Sequence, residues 1–242
     1  MNLAHAQQSF FERSGYLVVR DAVPEQLVDG LNSALDQEFA EPDGRYKSIS
    51  VDGELSKIYG VAQRPRTAEQ VLQLVRSDKI ITALRSILGP NIVMLLNRHN
   101  HATLNSAGHN VARLHRDVLN RGVVSLIAYL EKAEVKNGCT WIVPSSQHEP
   151  RVGVPQADGG GTWMDEHEVF RHLVEQALPV PMNVGDALLF DAMAFHSVGE
   201  NSTRATRRSL TLAFKAHDEL GKLDPSAQVL IAGEPIYRGN DR

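Results

Sequence analysis

The chain has 242 residues, 42% of them apolar and 22% charged, which excludes a disordered protein and is enough to bury one sizeable core. A formal net charge of −4 argues against a nucleic-acid partner and against a basic membrane-binding face. The single cysteine, Cys139, excludes an internal disulfide, residues 1–8 lack a signal-peptide pattern and no apolar run is long enough to cross a bilayer, so a soluble cytoplasmic protein is expected.

Gly15-Tyr16-Leu17-Val18-Val19 is a β-branched and aromatic run and predicts a strand. Pro24 suits a first helical turn, and Leu27, Leu31, Leu35 and Phe39 recur every four residues, giving a helix with one apolar face. Residues 41–60 are rich in Gly, Asp and Ser and read as a loop. Thr67 with Gln70 makes a capping-box pattern that opens a helix through Val71, Leu74 and Val75. Ile80, Ile81, Leu84, Ile87 and Leu88 mark another helix, stopped by Gly89-Pro90.

Beyond Pro90 the pattern changes to short apolar runs at 92–96, 123–130, 140–143, 187–190 and 209–214. Turn formers such as Asn137-Gly138 and Gly185-Asp186 separate them, and one helical patch (Val169, Phe170, Leu173, Val174) follows a loop over 156–165. Helices followed by many short strands imply an α+β chain whose functional half is a β-sandwich or barrel.

In His115-Arg116-Asp117 an imidazole and a carboxylate stand two residues apart, so in a strand both reach one face; the plain alternative is a surface His beside an Asp. His196, after Phe195, reads by itself as a hydrogen-bonded core histidine. Taken together, two His and one carboxylate make the facial donor set of non-haem iron(II) oxygenases, which leaves adjacent positions for a chelating 2-oxoacid and dioxygen. A structural zinc site would be four-coordinate and usually richer in Cys. Arg207 follows His196 by eleven residues (207 − 196 = 11), across a polar stretch that fits a turn joining two adjacent antiparallel strands. An Arg there can hold the far carboxylate of 2-oxoglutarate in a forked pair. Arg207 and Arg208 point to opposite strand faces, so one of them enters the barrel; the alternative is a solvated basic cluster of Arg204, Arg207 and Arg208.

The order of these motifs resembles the phytanoyl-CoA dioxygenase family of iron(II)/2-oxoglutarate oxygenases, which also includes ectoine hydroxylase. His115-Arg116-Asp117 stands for the family's H-x-D motif, and its 2-oxoglutarate Arg falls at Arg207. Asn137-Gly138, leading to Pro144-Ser145-Ser146-Gln147-His148, stands where the family has an Asn-Gly segment and a Pro-Gly-Ser-His turn. Gly185-Asp186 and His196-Ser197-Val198-Gly199-Glu200-Asn201 match its Gly-Asp strand and its distal His with Gly-x-Asn. The resemblance runs from Gly15 to about Phe214.

It implies a double-stranded β-helix, the cupin-like jelly-roll barrel, with N-terminal helices packed on one sheet. The expected layout is a single domain over 1–242, with a helical part at 1–90, the jelly-roll core at about 91–216 and a tail at 217–242. The resemblance further implies iron(II), held by His115, Asp117 and His196, with 2-oxoglutarate and dioxygen as co-substrates. Halogenases similar to this family carry Gly or Ala at the carboxylate position, so Asp117 implies hydroxylation or a related oxidation. With no extended basic surface to hold a large phosphorylated carrier, the expected substrate is a small polar metabolite, an amino-acid derivative or a natural-product intermediate. The turn before His148 is one residue longer than the family's, and His148 is expected to be structural. Leu114 stands where relatives often carry an aromatic and is expected in the pocket wall.

In the family, a strand before the H-x-D motif sends polar side chains toward 2-oxoglutarate or substrate. Here parity puts Asn97, His99 and His101 on one face and Arg98 and Asn100 on the other. Asn100 is expected to be the inward, cofactor-contacting residue, and Arg113 to share the inward face of His115; the alternative is an edge strand with solvated polar groups. Two other functions stay open: a cupin-like metalloenzyme that does not use 2-oxoglutarate, against which Arg207 speaks, and a non-catalytic ligand-binding barrel, against which the triad speaks. Loop 156–165, with three consecutive glycines followed by Trp163 and Met164, is expected either to close over substrate or to be an ordinary surface loop whose Trp163 packs on a neighbouring helix.

Overall fold

The structure, a computed structural model, describes residues 5–97, 99–106, 113–117, 122–152, 162–217 and 225–234. The N-terminal part supplies helices α1 (His5–Ser14), α2 (Glu25–Ala40), α3 (Ala68–Val75) and α4 (Asp78–Leu88), with strand β1 (Tyr16–Val19) between the first two. The apolar stripe of α2 buries Val28, Leu31 and Leu35, and α4 ends at Gly89 with a positive φ of 87°. Thr67 does not form the predicted capping box: its side chain makes no cap hydrogen bond, and its hydroxyl donates to the Val61 carbonyl at 2.6 Å.

The predicted loop at 41–60 instead contains a hairpin, β2 (Ser48–Val51) and β3 (Glu54–Tyr59). Its turn residues, Asp52 and Gly53, both have positive φ, 49° and 85°. An Asp-Gly pair takes up that mirror-image turn, whose twist matches the strands on either side.

The remaining strands are β4 (Ile92–Leu95), β5 (His101–Asn105), β6 (His115–Arg116), β7 (Val123–Tyr129), β8 (Thr140–Ile142), β9 (Thr162–Trp163), β10 (Leu178–Val180), β11 (Ala187–Asp191), β12 (His196–Val198), β13 (Arg207–Ala216) and β14 (Gln228–Ala232). The larger sheet runs β1-β11-β7-β13-β5-β3-β2, with β4 also pairing β13 and β14 pairing β4. The smaller runs β10-β8-β12-β6-β9, and the ladders of both are antiparallel. These sheets form the double-stranded β-helix. β14 lies within what the sequence suggests is a tail, and the patch at Glu168–Gln176 is a 3₁₀ helix.

All seven residues of β7 are buried, which explains its unbroken apolar run. Leu126 and Ala128 join Leu31, Leu35, Val71 and Leu84 in the cluster between sheet and helices, while Ile127 and Tyr129 join Ile142 and Phe190 in a second cluster. Each fully buried side chain of this size contributes about 1.5–3 kcal/mol relative to exposure. The Gly-Asp segment ties the sheet to the N-terminal part. Gly185 has φ +81°, a Cβ there would come within 2.8 Å of the Val23 carbonyl oxygen, and its own carbonyl accepts from the N–H groups of Ala22 and Val23. Asp186 accepts from Arg20 and from the backbone of Asp21 and Asn183.

The connection from β12 to β13 passes from the smaller sheet to the larger, so it is a crossover and not the predicted turn between adjacent strands. No helix among the described residues is long and apolar enough to cross a membrane.

Candidate functional site

A cavity of about 290 Å³ is lined by inward-facing residues of both sheets. His115, Asp117, His196 and Arg207 all line it. His115 on β6 and His196 on β12 are register partners, and their ring centroids lie 4.5 Å apart. Asp117 follows β6 and is anchored by its N–H donating to the Ala192 carbonyl at 3.1 Å. His115 Nε2 is 3.7 Å from Asp117 Oδ1, and His196 Nε2 is 3.5 Å from Oδ2. One potential ligand atom from each residue lies within 4.8 Å of the others.

The backbone sets the protonation of both rings. His115 Nδ1 is 2.8 Å from the Arg113 carbonyl, and His196 Nδ1 is 3.0 Å from the Ala194 carbonyl. A carbonyl can only accept, so each Nδ1 carries the proton and each Nε2 offers its lone pair to the cluster. Burial alone raises the Asp117 carboxyl, but the imidazoles of His99, His196 and His115 outweigh it and hold the group well below the usual carboxylate range. Two imidazole lone pairs and an ionised carboxylate on one side of a cavity form a donor set suited to iron(II).

Arg207 lines the same cavity, 2% exposed, and pairs in register with Asn105. It makes no ion pair among the described residues, and its Nε is buried without a hydrogen-bond partner. Burial pushes its pKa down, opposed by Tyr129. Tyr129 and Thr140 share a 2.6 Å hydrogen bond nearby, and Thr140 also lines the cavity. A buried guanidinium without a contacting carboxylate is costly, so a cavity beside it is matched to an anion. Both halves of the site fit an iron(II) ion with a dicarboxylate co-substrate.

Two expected cofactor contacts lie away from this cavity. Asn100 lies in a turn before β5, not in the strand; its carbonyl accepts from the Ala62 N–H at 2.9 Å and its amide donates to Gln63 at 3.2 Å, so it braces the chain after β3 and does not line the cavity. Arg113 precedes the two-residue β6, so strand parity does not reach it. Its half-exposed side chain lies over the Trp163 ring and pairs with Asp165 and Glu166. Leu114 also lies outside the cavity wall, in the cluster of Val143, Phe170 and Phe195. The inward face before the H-x-D segment instead carries His99, His101, Thr103 and Asn105. The alternation was visible in sequence, but which face is inward depends on contacts with distant strands.

His148 contacts the Glu12 carbonyl at 3.2 Å. Most of loop 156–165 lies outside the described residues; its end does not behave as a free flap. Trp163 pairs with His115 through β9 and stacks on its ring with centroids 5.0 Å apart, and Met164 is buried with Phe170.

A model of the phytanoyl-CoA dioxygenase family matches residues 11–209. Peroxisomal phytanoyl-CoA dioxygenase of Homo sapiens is 23% identical over 243 residues, covering 88% of this chain and 68% of the human protein. Among solved structures, iron-bound EctD from S. alaskensis gives a TM-score of 0.70 at 20% identity, covering 97% of this chain and 85% of that one. SnoN, a non-heme alpha ketoglutarate dependent epimerase from nogalamycin biosynthesis, gives 0.70 at 17% identity, covering 88% and 82%.

Proposed function

Because this chain belongs to the phytanoyl-CoA dioxygenase family, we propose that its His115, Asp117 and His196 hold the iron(II) of a 2-oxoglutarate-dependent dioxygenase that hydroxylates a small polar molecule. The chain is an iron(II)/2-oxoglutarate-dependent oxygenase; the ligand set, the reaction outcome and the substrate class are our reading. One observation carries it: two imidazole lone pairs and a buried carboxylate share a cavity with a buried guanidinium that has no ion-pair partner among the described residues.

Iron(II), with 2-oxoglutarate and dioxygen, supplies an oxidant able to cleave a C–H bond, with succinate and carbon dioxide as co-products. The chain's own groups do the rest. His115 and His196 present Nε2, each ring locked by its Nδ1–H on a backbone carbonyl. Asp117 brings one negative charge and lowers the charge of the site. Arg207 grips the far carboxylate of the dicarboxylate, which fixes its orientation. Ile127, Phe190 and Val198 give the cavity an apolar portion that keeps water from the reacting centre. Polar side chains of β3 and β5, among them Tyr59, His101 and Thr103, support the reading of a polar substrate of modest size.

The test is succinate formation by iron-loaded protein with 2-oxoglutarate in air, screened over candidate metabolites, with mass spectrometry of the substrate. Substrate-stimulated succinate and a product heavier by one oxygen are expected. SnoN is an epimerase on the same fold, so an isomeric product with succinate would overturn hydroxylation alone. No succinate from protein that binds iron would overturn the use of 2-oxoglutarate.

A further inference from the structure

His99 lies just before β5, 5% exposed, on the cavity wall. Its Nε2 is 3.0 Å from Asp117 Oδ1, closer than either of the other imidazoles comes to that carboxylate. The backbone N–H of His99 is held by Asn97 Oδ1 at 2.9 Å, so the residue is fixed where the strand begins.

The three imidazoles around Asp117 divide by what their second nitrogen meets. In His115 and His196 it is a backbone carbonyl, which puts the proton on Nδ1 and a lone pair on Nε2. In His99, Nδ1 is buried with no hydrogen-bond partner among the described residues. A proton on that Nδ1 would be an orphaned donor, and the Nε2 lone pair would face a carboxylate oxygen. The favourable arrangement is the reverse, with the proton on Nε2 donating to Oδ1. His99 therefore faces the carboxylate as a donor, where the other two face the cluster as acceptors.

We infer that His99 is a positioning residue whose Nε2–H, on Oδ1, holds the Asp117 carboxylate in place beside the Nε2 lone pairs of His115 and His196. This rests on the reading of His115, Asp117 and His196 as the metal ligands. The Ser125 hydroxyl donates to Oδ2 only at 3.5 Å, so the 3.0 Å contact of the His99 N–H with Oδ1 is the shorter restraint on the plane of the carboxylate. Outer hydrogen-bond partners of metal ligands affect metal affinity by about 10- to 100-fold when removed. His99 is not itself one of the three clustered ligand residues.

The test uses cobalt(II) in place of iron(II), read by titration and by the visible ligand-field bands, with metal-free circular dichroism as a folding control. His99→Leu is expected to weaken cobalt(II) binding about 10- to 100-fold and to shift the bands. His99→Gln keeps an N–H able to reach Oδ1 and is expected to restore affinity and bands. His99→Met fills similar space with no N–H donor and should behave as His99→Leu, which keeps the test decisive if the Leu variant does not fold. Wild-type affinity and bands in His99→Leu, or a Gln variant as impaired as the Met variant, would overturn the inference. Cobalt(II) binding unchanged by His115→Ala would overturn the triad itself, whatever the His99 variants do.

Discussion

Arg207 and Arg208 are neighbours on β13 whose side chains leave opposite faces of the sheet. Arg207 lines the cavity, while Arg208 crosses to α2, where it donates to Asp36 at 2.8 Å and to Asn32 at 3.2 Å. One peptide bond thus separates a side chain that faces the cavity from a brace on the helical layer.

Arg207→Ala should raise the 2-oxoglutarate concentration needed for half-maximal succinate formation by an amount equivalent to about 2–5 kcal/mol, much of it from leaving a carboxylate unpaired in the cavity. Arg208→Ala should leave that requirement unchanged and cost about 1–3 kcal/mol of stability, because the buried guanidinium also donates to the Asn32 carbonyl and side chain. Steady-state kinetics with varied 2-oxoglutarate distinguish them; the large effect in Arg208→Ala instead would reverse the strand assignment.

His115→Ala, Asp117→Ala and His196→Ala should each abolish substrate-dependent succinate formation and weaken iron(II) binding, measured by anaerobic titration with 2-oxoglutarate present. Normal binding and turnover in any one of them removes that residue from the ligand set.

Asn100→Ala should cost about 1–3 kcal/mol in denaturant unfolding, since it leaves the Ala62 N–H without its buried acceptor. The 2-oxoglutarate requirement of the folded enzyme should not move. A selective rise in that requirement would return Asn100 to the cofactor site.

Asp186 predicts how the fold responds to acid. Burial raises its pKa, but the backbone N–H groups of Asn183 and Asp21 and the Arg20 guanidinium outweigh it and leave the group below the usual range. A carboxyl depressed in the folded state stabilises the fold above its unfolded pKa of about 3.9, and that contribution is lost as pH falls through the lower folded value. Asp186→Asn should therefore be less stable than wild type at neutral pH, with the gap narrowing toward pH 3. Urea unfolding at several pH values checks this, and a gap that is independent of pH would show that the charge of Asp186 contributes nothing.

What could be read from the sequence follows the range of the interactions. The helices and inner strands were legible because Leu31, Leu35, Leu126 and Phe214 repeat at the period of their element. The clustering of His115, Asp117 and His196 was legible because His115 and Asp117 are two residues apart and His196 follows a Gly-Asp strand. The hairpin at Asp52-Gly53 had a local signal that the polar composition of 41–60 masked. The side chain of Arg113 lies with Asp165 and not in the cavity, because β6 spans two residues, too few to carry alternation backwards. The role of Asn100 and the inward face of His99 are set by Gln63 and Asp117, partners that no local pattern names.

The pairing of β6 with β12 brings together residues separated by 81 positions (196 − 115 = 81). The unfolded chain has no such meeting point, so a cation held there is bound by the native state and hardly at all by the coil. Occupancy and folding then share one equilibrium: at a free metal concentration 100 times the dissociation constant, the native state gains about 2.7 kcal/mol. For a chain of ordinary marginal stability that gain is a large fraction of the total. Metal supply would then influence how long the protein survives as well as how fast it turns over, and a chelator would lower the unfolding midpoint in addition to stopping turnover.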